Sequence, residues 1–170
     1  MPEQLPELPR PEFTMIRIGS SSEVPESIAR ELLESGIPGG LIGYEYRPLA
    51  EAVFLGEIRQ GGLVSIATSG LLGRICIVVA TGEIVHIPKV ESTMATHVNR
   101  DLDSFTRCVA GVIDRFPFYE EDEEQEVFEE VADEVREIIV TIDDTAMVHN
   151  GFWDGICEDV AMGDYSNWDD

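Results

Sequence analysis

Four short β-prone runs, at residues 53–58, 63–68, 75–80 and 83–88, follow one another with only glycine-bearing turns between them. Turns this short join antiparallel neighbours, so the runs are expected to form a meander. The turn at Thr81-Gly82, between "ICIVVA" and "EIVHI", is the strongest hairpin signal. The fully apolar run 75–80 reads as a central strand covered on both faces, with Cys76 buried. The run 83–87 alternates and reads as half exposed.

Helical patterns flank these strands. Pro25 suits a first helical turn, Ile28, Leu32 and Leu33 make one face, and Gly36 can end the helix. Gly39, Gly40 and Gly43 mark loops. After the strands, Asn99 or Asp101 can cap a helix reaching about Phe116, with Leu102, Phe105, Val109, Val112, Ile113 and Phe116 on one side. Beyond Pro117, the stripe Val127, Phe128, Val131, Val135, Ile138, Ile139 and Ile142 predicts an amphipathic helix, broken at Asp143-Asp144. Phe152, Ile156 and Val160 suggest a last short helix that Gly163 ends. The order is α+β: a single domain with a mostly antiparallel sheet flanked by helices. A chain of 170 residues has room for one such core. Residues 1–15, with four prolines, read as a flexible leader, 16–165 as the domain and 166–170 as a frayed acidic tail.

Charge then narrows the function. The net charge is −23, and residues 120–170 carry 19 acids against one base, Arg136. Such a field repels nucleic acid and anionic membranes and attracts basic partners, although an acidic surface also serves plain solubility. The expected partner-binding residues are Glu120, Glu121, Asp122, Glu123 and Glu124, with Glu130, Asp133, Glu134 and Glu137 on the outer side of the amphipathic helix. No basic segment precedes an apolar stretch at the N-terminus, and the longest apolar run is too short to span a bilayer. Cytoplasm is the expected location.

Motifs for chemistry are absent. Gly39-Gly40 and Gly61-Gly62 precede no GK[ST], the serines lie in no nucleophile elbow, and the histidines His86, His97 and His149 stand apart. Cys76, Cys108 and Cys157 have apolar neighbours and no zinc spacing, as buried reduced thiols would. No catalytic residue, cofactor or metal is expected, and the chain reads as a binding protein rather than an enzyme.

Three stretches together resemble the SUKH superfamily, and most closely its fourth immunity-protein subgroup. They are "RICIVVATGEIVHIP" (74–88), "VNRDLDSFTRCVAGV" (98–112) and "IDDTAMVHNGFWDGICEDVAMGDY" (142–165). The chain departs from the pattern at Arg100 and Asp101, where serines are usual, and at Ile156 in place of leucine. The resemblance implies a bacterial immunity protein that neutralises a cognate polymorphic toxin by direct binding. Such toxins are often nucleases or nucleic-acid deaminases encoded beside the immunity gene. It also implies that the motif residues build the fold, with Phe152, Trp153 and Tyr165 as core anchors. Two other readings use the same features: a SUKH-like regulatory or scaffold protein with a cellular partner, and an acidic DNA mimic.

Overall fold

Apolar runs cut by turn glycines give a strand-rich centre, and amphipathic periods give helices at either end. The computed structural model of the chain describes residues 12–40, 46–56, 61–89, 94–119 and 123–163. The N-terminal part contains β1 (Thr14–Ile16), β2 (Gly19–Ser20), α1 (Glu26–Glu34) and β3 (Ile37–Gly39). The meander follows as β4 (Arg47–Leu55), β5 (Leu63–Ser69), β6 (Gly73–Val78), β7 (Ile84–Ile87) and β8 (Thr96–Asn99). Three helices complete the described chain: α2 (Leu102–Asp114), α3 (Gln125–Ile142) and α4 (Phe152–Met162).

Six strands form one open sheet in the order β2-β4-β5-β6-β7-β8. Every pair in it is antiparallel except β2 with β4, and β1 pairs separately with β3. The fold is therefore α+β, a single domain with a mostly antiparallel sheet and, among the described residues, four helices.

The hairpin at Thr81-Gly82 joins β6 to β7 in the register Ile77↔Ile84 to Arg74↔Ile87. Gly82 has φ +79, a left-handed conformation that a glycine adopts without steric cost, and its N–H donates to the Val78 carbonyl. Gly163 closes α4 in the same way, with φ +79. Cys76 is fully buried and unbridged.

β6 is central and covered on both faces. Ile75 and Ile77 join the main core under the helices, whereas Cys76 and Val78 join Leu63, Val85 and Ile87 in a smaller cluster on the opposite face. That second cluster overturns the half-exposed reading of β7. Its Val85 and Ile87 are packed there, Ile84 faces the main core, and β8 pairs along the outer edge. Gly39 lies within β3, not in a loop. Leu33 is also exposed, because one residue along a helix turns it about 100° away from fully buried Leu32.

Asp101, rather than Asn99, caps α2. Its side chain accepts the Ser104 N–H, and the Ser104 hydroxyl stands against the Asp101 N–H as a capping box. All six expected face residues of α2 and its end, from Leu102 to Phe116, are buried. Phe105 packs on Trp153 (ring centroids 6.0 Å) and on Tyr46 (5.4 Å), and Phe152 meets Trp153 edge-on at 5.0 Å. Tyr165 lies outside the described residues.

Candidate protein-binding surface

Two of the three stretches that carry the family resemblance, 98–112 and 142–165, meet in one buried polar node. Asn99, at the end of β8, donates to Asp143 (2.9 Å) and accepts from the Trp153 indole N–H (2.8 Å). Asp143 caps the end of α3 and has no exposed side-chain surface. It also accepts the Arg100 and Thr145 backbone N–H groups and the Thr145 and Ser104 hydroxyls. Burial alone would raise the Asp143 pKa, but these donors outweigh it and hold the carboxyl well below the usual range. Two of the three departures from the family pattern, Arg100 and Asp101, work here. Asp101 is the helix cap, and the Arg100 guanidinium lies 3.4 Å from Asp143 and donates to the Ile142 carbonyl. His97 extends the node outward, with Nδ1 2.5 Å from Glu83 and Nε2 2.8 Å from Thr145. The node fixes where α2, α3 and α4 sit against β8.

Upon this frame α3 is two-faced. Val131, Val135 and Ile139 are buried, and Glu130, Asp133, Glu134 and Glu137 are exposed on the other side at helical spacing. Glu134 accepts the Arg115 Nε–H at 2.7 Å, which ties the outer face of α3 to the end of α2. Glu124 is the exposed N-cap residue of α3 and Glu123 beside it is half-buried. Glu120, Glu121 and Asp122 lie outside the described residues. Arg136, on the flank of the helix, donates to the nearly buried Asp154 of α4 at 2.6 Å.

Two shallow depressions border the line where α2 meets α3. One, of about 540 Å³, is lined by Phe13, Ala110, Gly111 and Phe116 with Glu12 and Asp114 among its polar residues. The other, of about 440 Å³, lies along Glu134, Glu137, Ile138, Thr141 and Ile142. Gly111, which lines the first, packs closely on Ile138, which lines the second: a Cβ at Gly111 would stand only 2.8 Å from Ile138 Cγ2. No periodicity announces this seam; the glycine inside an otherwise good helix is the signal that marks it. A second exposed apolar feature is the β5–β6 turn, where Leu71 is 97% and Leu72 61% exposed.

Chemically the described interior is quiet. Burial pushes the thiols of Cys76 and Cys157 up to about 12 and that of Cys108 to about 11, so all three stay protonated and weakly nucleophilic. Among the described residues, no three His, Cys, Asp or Glu side chains are placed to share a metal ion, and no helix is long and apolar enough to cross a membrane.

Comparison with known proteins agrees with this arrangement. Residues 21–159 match the family model of the SUKH-4 immunity protein. The comparisons with curated proteins and with solved structures give no match. The match covers the main sheet from β4 onward, the whole polar node and most of α4. The chain belongs to the SUKH-4 immunity protein family.

Proposed function

We propose that the chain neutralises its cognate toxin by direct occlusion, with the outward acids of α3 facing a basic, nucleic-acid-binding surface of a nuclease or nucleic-acid deaminase. The observation that carries this reading is the placement of charge. The acids Glu130, Asp133, Glu134 and Glu137 crowd the solvent side of a helix whose other side is locked into the core. An enzyme that acts on nucleic acid needs a cationic track for phosphates. Carboxylates held on a rigid helix compete for that track, and the long-range field speeds capture about 10–1000-fold over a neutral surface. Glu120, Glu121, Asp122, Glu123 and Glu124 extend the same field at the sequence level.

Binding is tested with the product of the adjacent gene, in a catalytically inactive form. The wild-type chain is expected to capture it and to abolish the active toxin's effect; no capture and no protection would sink the reading. Exposed pairs contribute only about 0–1 kcal/mol each, so Glu130→Gln, Asp133→Asn, Glu134→Gln and Glu137→Gln are combined. The expected outcome is slower association with a shallower salt dependence. Wild-type rates at two salt concentrations, in a folded variant, would move the interface elsewhere, with the Leu71-Leu72 turn as the next surface to change.

A further inference from the structure

We infer that the seam between α2 and α3 is the anchoring part of that interface, and that it takes a basic segment of the toxin carrying one or two apolar side chains between Lys or Arg residues. The inference rests on the toxin-binding reading above and adds to it where the partner is gripped. Steering charge alone gives speed without grip, because rim charges act on association while buried apolar anchors set dissociation. The α3 acids therefore need an apolar site beside them, and the seam supplies one. Apolar residues line both of its depressions: Phe13, Ala110 and Gly111 in one, Ile138 and Ile142 in the other. The missing side chain of Gly111 lets α2 close on α3 between the two depressions: a Cβ there would meet Ile138 at 2.8 Å and Ile142 at 3.4 Å.

The rim selects the occupant. Glu12 and Asp114 border one depression and Glu134 and Glu137 the other. Arg115, a base beside them, is engaged with Glu134 and with the Pro117 carbonyl. An apolar lining beside carboxylates favours apolar side chains flanked by cations and disfavours an acidic or neutral segment. A second copy of this chain is a poor occupant, since it brings its own net −23 against the acids.

The test fills the seam without changing charge. Thr141→Trp, at an exposed position of α3, and Ala110→Trp, on α2, are compared with the wild-type chain for binding to the inactive product of the adjacent gene. Melting curves first establish that each variant is folded; the exposed Thr141 site keeps the test available if Ala110→Trp is not. The expected result is dissociation at least about tenfold faster, with association within about twofold of wild type. The four-acid variant is expected to show the opposite split. Folded tryptophan variants that dissociate at the wild-type rate would overturn the seam and leave the toxin-binding reading standing. A wild-type chain that captures no toxin would overturn both.

Discussion

A carboxylate with no exposed surface must be surrounded by donors, and Asp143 is. It gathers Asn99, Ser104, Thr145 and the Arg100 N–H, and through Asn99 it reaches the Trp153 indole. Removing the acceptor strands all of them at once. Asp143→Ala is expected to cost about 3–5 kcal/mol, the range for breaking a buried charged network. Asp143→Asn should cost less but still destabilise, because its amide NH2 would point at donors. The pH dependence separates charge from packing. The folded pKa is depressed, so this stabilisation is complete above the unfolded carboxylate value of about 4 and is lost as pH falls from there through the folded pKa. Urea unfolding at pH 7 and pH 3 should therefore show the gap between wild type and Asp143→Asn narrowing in acid. An equal gap at both values would mean that Asp143 acts by shape alone. The node was not legible as such in the chain. Asn99 looks like a cap and Asp143 like a helix breaker, and each description is locally sound. What joins them is contact across 44 and 54 positions, which no local pattern encodes.

Among the elements, legibility followed the strength of local punctuation. β5, β6 and β7 are β-rich and bounded by glycines, and the long stripes of α2 and α3 fix their buried faces. β1, β2 and β3 have two or three residues each, too few for any period to show. β8 reads Thr-His-Val-Asn, three of its four residues polar, and becomes a strand only because β7 offers an edge. The first half of β4 is hidden by Pro48 and by a register shift before Val53. The acidic face of α3 was legible for the same reason as its core face, whereas the seam depends on Gly111 of one helix meeting Ile138 of another. The joint between α3 and α4 makes a separate prediction. α4 begins at Gly151 with no side-chain cap, and Asp154 in its first turn accepts the Asn150 N–H and the Arg136 guanidinium instead. These bonds hold the Asp154 pKa down, with Arg136 as the largest cause. Asp154→Ala should cost about 1.5–3 kcal/mol, as for charge-assisted bonds in a nearly dry site. A double-mutant cycle with Arg136→Ala should return a coupling of about 0.5–3 kcal/mol. Additive losses would mean that the two residues stabilise their helices independently.

Over the whole molecule, the bases and acids are used differently. Arg100, Arg115 and Arg136 are engaged in joints with Asp143, Glu134 and Asp154, while Glu130, Asp133 and Glu137 stand outward. The chain carries net −23, and a compact chain of 170 residues is expected to have a radius of gyration of about 15 Å, against about 44 Å unfolded. Compaction at this charge is self-repulsive, and its cost depends on screening. At 0.01 M salt the screening length of about 30 Å exceeds the folded radius, so nearly every acid repels every other. At 0.15 M it shrinks to about 8 Å and only near neighbours interact. Raising salt between these values should therefore raise the melting temperature, by about 2–4 °C for each kcal/mol of repulsion removed. The same screening weakens the field that draws in a basic toxin, so association should slow about tenfold or more over the same interval. Stability and capture are expected to respond to salt with opposite signs, and neutralising Glu130, Asp133, Glu134 and Glu137 together should flatten both responses. The check is a thermal melt and a stopped-flow association measurement in the same two buffers. A melting temperature that falls with salt would mean that the ion pairs at Arg100, Arg115 and Arg136 outweigh the repulsion. Association that ignores salt would show that the charge serves solubility rather than steering.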